Sequence, residues 1–122
     1  KEISYIHSEA FASGELKHGT IALITDGVPV VVNATQSDLF EKSVSNIKEV
    51  TSRGAYVIAV AKEGNTVVEE VADEVFYIPD VEDDYAGFPT IVIHQLLAYY
   101  LSKLKGNDVD KPRNLAKSVT VE

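Results

Sequence analysis

Two unbroken runs of β-branched and small apolar residues constrain the fold most: Val28-Pro29-Val30-Val31-Val32 and residues 55–61. A strand with one wet face alternates polar and apolar residues. A continuous apolar run suits a strand covered on both faces, the usual state in parallel sheets flanked by helices. Pro29 has no N–H to give to a ladder, so it belongs at the first residue of its strand or on an edge. Val75-Phe76-Tyr77-Ile78 reads as a third strand. Between the first two runs, residues 37–53 place Phe40, Val44, Ile47 and Val50 at helical spacing, with Asp38 and Glu41 in the first turn and Gly54 past the end. Residues 66–72 suit a short helix. Residues 89–105 suit a long one, with Leu96, Leu97, Tyr100, Leu101 and Leu104 for burial, Lys103 and Lys105 in the last turn, and Gly106 beyond. Strands alternating with helices imply right-handed βαβ crossovers. The expected class is α/β: a three-layer, doubly wound, mostly parallel sheet of the flavodoxin-like kind.

The flanks are less regular. Residues 1–17 put Ile3, Ile6, His7, Ala10 and Gly14 along one helical stripe, which predicts a helix there. Residues 20–24 form a short apolar run of undecided type, and Asp26-Gly27 signals a turn. Residues 107–122 are polar, carry Pro112 and show no helical period, so they read as an extended tail behind a lobe spanning 1–106. Three strands make a thin sheet, the chain contains no Met, and it opens inside the predicted helix. Together these lead us to expect a segment cut from something larger.

The chain of 122 residues, 45% of them hydrophobic, is long enough for one domain with a real core. Its formal charge of −8 argues against nucleic acid and against an anionic membrane surface. No apolar run approaches the roughly 18 residues of a membrane span. Without cysteine there is no disulfide, thiolate metal site or thiol nucleophile.

Motifs for phosphate are missing: neither G-x-G-x-x-G nor G-x-x-x-x-G-K-[ST] occurs. Ala34-Thr35-Gln36-Ser37 joins a strand's end to a helix start, which suits either helix capping by Ser37 or Thr35 or an anion site. The acidic stretch Asp80, Glu82, Asp83, Asp84 lacks calcium-loop spacing and reads as a solvated loop. His7 and His94 read as packed or half-exposed side chains on helices, neither with a second His at i+4 to make a zinc pair. On residue pattern alone, Glu2 is a first-turn helix acid, His18 a helix C-terminal cation and Lys117 a solvated tail lysine.

Three blocks change that reading. Glu2-Ile3-Ser4-Tyr5-Ile6-His7, then Gly14-Glu15-Leu16-Lys17-His18-Gly19, then the run from Asp108-Val109-Asp110-Lys111-Pro112-Arg113 through Asn114-Leu115-Ala116-Lys117-Ser118-Val119-Thr120-Val121-Glu122 resemble one family. It is the isomerising glutamine:fructose-6-phosphate amidotransferases (glucosamine-6-phosphate synthases), and the likeness is to the C-terminal lobe of their sugar-isomerase (SIS) half. Thr20 stands where the family pattern has proline, and Ile93-His94 where it has Pro-Leu.

The resemblance implies a cytoplasmic enzyme that converts fructose 6-phosphate and glutamine to glucosamine 6-phosphate and glutamate. It implies that Glu2 shuttles a proton between C1 and C2, that His18 assists ring opening, and that Lys117 forms a Schiff base with the open ketose. Ala116 and Lys117 would contact the substrate. No metal or organic cofactor is implied. The implied partners are an upstream SIS lobe that grips the sugar phosphate, a glutaminase domain and a second copy in a homodimer. The isolated chain is then expected to be nearly inactive. Each role fits its residue: burial can raise a carboxylate into the range of a general base, imidazole exchanges protons near neutrality, and a desolvated lysine is nucleophilic. The alternative is a non-catalytic SIS module for sugar-phosphate binding or dimerisation.

A distance argument supports the dimer. If residues 1–17 form a continuous helix, the backbones of Glu2 and His18 stand roughly 24 Å apart at 1.5 Å per residue. Two groups so separated cannot meet on one hexose phosphate unless different copies of the chain supply them.

Overall fold

The computed structural model describes residues 1–113. Its frame is a sheet of three parallel strands, β1 (Pro29–Ala34), β2 (Tyr56–Lys62) and β3 (Glu74–Ile78), in the order β1-β2-β3. Pro29 pairs with Tyr56 and Ala34 with Ala61 across the first ladder; Ile58 pairs with Glu74 and Lys62 with Ile78 across the second. As its missing N–H requires, Pro29 is the first residue of an edge strand. Helix α1 (Phe40–Thr51) crosses from β1 to β2, a 3₁₀ helix over Thr66–Glu70 crosses from β2 to β3, and α2 (Gly87–Leu104) follows β3. The predicted helix over 37–53 thus begins with a separate 3₁₀ turn, Ser37–Leu39, and the predicted short helix over 66–72 is 3₁₀ throughout. The run at 20–24 is also 3₁₀, over Thr20–Leu23.

The central strand explains the layering. Val57, Ala59 and Ala61 point to one face, where they meet Ile47 and Val50 of α1 and Val68 of the second crossover, all buried. Val60 points to the other face and packs with Ile78, Ala86 and Ile93. One strand of period two therefore feeds two apolar clusters, which is why its sequence is an unbroken apolar run.

Both α-helices stop in the same way. At the end of α1 the Gly54 N–H donates to the Thr51 carbonyl (2.9 Å) and the Ala55 N–H to that of Val50 (3.2 Å). At the end of α2 the Gly106 N–H donates to Lys103 (2.9 Å) and the Asn107 N–H to Ser102 (3.0 Å). This paired pattern needs a left-handed residue, and the two glycines have φ of 88° and 73°. Gly54 is constrained a second time. A Cβ there would lie 2.9 Å from the Asp26 Cα, because the Gly27 N–H reaches back to the Gly54 carbonyl at 2.7 Å.

The predicted helix over residues 1–17 is not present. One helix-like bond forms, from the Tyr5 N–H to the Lys1 carbonyl (2.9 Å), and Tyr5 then turns left-handed at φ 54°. Residues 5–12 carry no regular structure, and a 3₁₀ helix spans Ser13–His18. The apolar stripe misled because a short helix is marginal unless its apolar face is packed. Here the Ile3 and Ser4 carbonyls accept instead from side chains at the end of α2. With no rod, the 24 Å argument for a shared site loses its premise.

The chain divides into two compact units, one of residues 1–9 with the chain from His94 onward, the other Ala10–Ile93.

Candidate functional site

In the unit Ala10–Ile93, a cavity of about 550 Å³ opens at the C-terminal end of β1, lined by Thr35, Gln36, Ser43, Asn46, Asp83 and Thr90 among others. The strand ends at Ala34, with Thr35 and Gln36 between it and the start of the Ser37–Leu39 turn. Neither Ser37 nor Thr35 caps that turn, against expectation: its N-cap is Gln36, with no side-chain cap. The Ser37 hydroxyl is used elsewhere. It donates to Asp83 Oδ1 (2.9 Å), while the Ser37 N–H donates to Asp83 Oδ2 (2.8 Å). The Lys62 ammonium, buried at the end of β2, donates to the same Oδ1 at 2.5 Å. Lys62 first, then the two Ser37 donors, hold the Asp83 carboxyl below its usual range.

The acidic stretch is therefore not simply a solvated loop. Its Asp83 supplies, from within the chain, the anion that such a turn attracts. Sequence reasoning missed this pair. The available signal was a lysine closing a strand whose other residues demand burial on both faces.

The second anchor in this unit holds the Ser13–His18 helix onto α1. The Asn46 amide donates to Ser13 Oγ (3.1 Å), and Lys17 pairs with Glu49 at 2.7 Å. Lys17 is the main cause that holds Glu49 below the ordinary carboxylate range, with Arg53 adding to it at 3.3 Å. His18 is the last residue of that helix and is exposed, followed by Gly19 at φ 143°.

In the other unit, Glu2 lies exposed in the turn that precedes Tyr5. The backbone beside it is fixed from α2: Ser102 Oγ donates to the Ile3 carbonyl and Lys105 Nζ to the Ser4 carbonyl, each at 2.7 Å. Beyond α2, the Asp108 carboxylate accepts the N–H groups of Asp110 (3.0 Å) and Lys111 (3.2 Å), Pro112 is buried, and the chain reaches Tyr5. There the Arg113 N–H donates to the Tyr5 hydroxyl (2.8 Å), and the Arg113 guanidinium stacks 3.7 Å from the ring centroid.

Of the expected site residues, Glu2 belongs to one unit and His18 to the other, whereas Ala116 and Lys117 lie outside the described residues. His7 is exposed on irregular chain, 3.8 Å from Glu9, rather than packed on a helix. His94 is half-buried in α2. Among the described residues, no helix is long and apolar enough to cross a membrane, and no group of three or more His, Asp or Glu could hold a metal ion.

Comparison with known proteins places this architecture. Over its whole length the chain is 62% identical to the isomerizing glutamine–fructose-6-phosphate aminotransferase of Caldanaerobacter subterraneus subsp. tengcongensis and 63% identical to that of Clostridium acetobutylicum. It spans 20% of the length of each. The Thermus thermophilus enzyme of the same name is 56% identical over the same residues. Among solved structures, the C-terminal domain of glucosamine-fructose-6-phosphate aminotransferase from Francisella tularensis superposes with a TM-score of 0.79 at 36% identity, covering 89% of this chain and 31% of that one. The E. coli CFT073 protein c3406 is alike in fold alone, with a TM-score of 0.60 at 19% identity over 86% of this chain and 60% of its own. The family model described as SIS domain matches residues 1–104, from the turn that holds Glu2 to the last residue of α2. A match that runs unbroken through every strand and both α-helices assigns the chain to the SIS domain family.

Proposed function

We propose that this chain supplies the ketose-to-aldose step of a glutamine-dependent fructose-6-phosphate aminotransferase. The observation that carries the reading is end-to-end identity of 62–63% with two enzymes of that name, of which the chain spans 20%. Lys117 attacks the carbonyl of the open ketose and forms a Schiff base, releasing water. Glu2 moves the proton between C1 and C2; its exposed position in a turn leaves it free to meet a sugar. His18, exposed at the end of a 3₁₀ helix pinned to α1, exchanges the proton that opens the ring. Ala116 contacts the substrate beside Lys117.

The remaining parts of the reaction belong to other segments: a second SIS lobe that grips the sugar phosphate, and a glutaminase domain that delivers ammonia. A homodimer in the cytoplasm, with His18 supplied to its partner's site, completes the reading.

Formation of glucosamine 6-phosphate by the intact protein tests it. Lys117→Ala should lower turnover by about a hundred-fold or more, the range for losing a covalent catalyst. Unchanged turnover in that variant would overturn the proposal.

A further inference from the structure

The contacts around Tyr5 do more than finish a surface. Tyr5 takes a left-handed backbone, sparsely populated for a residue with a side chain, and such a conformation persists only where surrounding contacts fix it. Those contacts come from both sides. Before Tyr5, the Ile3 and Ser4 carbonyls are bound by Ser102 and Lys105. At Tyr5 itself the hydroxyl accepts the Arg113 N–H and the ring carries the Arg113 guanidinium. Between these anchors the chain turns on Asp108 and buries Pro112. Residues 1–5 and 102–113 thus form a closed loop of contacts.

Glu2 stands three residues before Tyr5, and Lys117 four residues after Arg113. Four residues of fully extended chain reach about 14 Å at most. We propose that Tyr5 and Arg113 are positioning residues that fasten the segment leading to Lys117 onto the segment carrying Glu2, so that imine formation and proton transfer act on the same sugar carbons. The inference rests on the proposed roles of Glu2 and Lys117. It adds that the tail's delivery depends on one stacked and hydrogen-bonded pair.

The test uses the intact protein, with kcat and KM for fructose 6-phosphate, and borohydride trapping of the imine at Lys117 as the direct readout. Tyr5→Leu and Arg113→Ala should each slow trapping by about ten- to a hundred-fold, the scale of a small misplacement of a reacting group. KM should move little, because substrate is gripped elsewhere. The double variant should be no slower than either single one, since the two residues act as a unit. Tyr5→Phe keeps the stack, and Arg113→Lys keeps the cation, so each should recover much of the rate if positioning is the role. These milder variants also guard against a fold defect, which unfolding curves would reveal. Trapping that is unchanged in folded Tyr5→Leu and Arg113→Ala, while Lys117→Ala abolishes it, overturns the clamp alone. Full turnover in Lys117→Ala overturns the catalytic reading, and the clamp's role with it.

Discussion

Lys62, only 4% exposed, sets its ammonium 2.5 Å from Asp83 Oδ1, joining the end of β2 to the turn that launches α2. The two ends of this contact are not equivalent. Removing the carboxylate leaves a buried cation without its partner, whereas replacing the lysine by an apolar side chain of similar length removes the need for one. Asp83→Asn should therefore lower the melting temperature more than Lys62→Met does. The reverse order in thermal unfolding would count against a pair buried at its lysine end.

The same carboxyl sets a pH dependence. Its pKa is depressed in the folded state, so its stabilisation is complete above the ordinary Asp value of about 3.9 and is lost as pH falls through the lower folded value. Asp83→Asn should flatten the acid limb of a stability–pH profile and leave its slope near neutrality unchanged.

Gly54→Ala should destabilise the chain by roughly 1–3 kcal/mol, since φ is 88° and the new methyl would meet the Asp26 Cα at 2.9 Å. Gly106→Ala shares the left-handed backbone but meets nothing within 4 Å. Urea unfolding should rank it as the milder change.

Ile47 of α1 is completely buried against β2 and the second crossover. Ile47→Ala should cost about 2–5 kcal/mol, the range for truncating a core aliphatic side chain. A loss under about 1 kcal/mol would mean that the first apolar cluster collapses around the gap.

A shared site can be tested without any rod. If Glu2 and His18 of one site come from different copies, Glu2→Gln and His18→Asn proteins are each inactive, but their mixed dimers hold one intact site. Random exchange makes about half the dimers mixed, so activity should return to about a quarter of the wild-type level. If both groups act within one copy, mixing restores nothing.

The strands and α-helices were legible because their signals are local. β-branched runs gave β1 and β2, the spacing of Phe40, Val44, Ile47 and Val50 gave α1, and Gly54 and Gly106 marked both helix ends. What failed was decided at long range. The stripe from Ile3 to Gly14 has helical spacing, yet the carbonyls beside it are claimed by Ser102 and Lys105, about a hundred positions away. Asp83 looked like one acid among several until a lysine 21 residues earlier met it. Of the candidate site, Glu2 and His18 were read from a pattern of neighbours rather than from geometry. Tyr5 and Arg113 were within the quoted blocks but carried no signal until the chain closed on itself.

The alternation along β2 carries a last consequence. Deleting one residue between Val57 and Lys62 would exchange the destinations of every side chain beyond the cut. The ammonium would then be thrust among Ile47, Val50 and Val68, and Glu63 would take its place opposite the Asp83 carboxylate. This strand should tolerate swaps of side chain far better than any change of length.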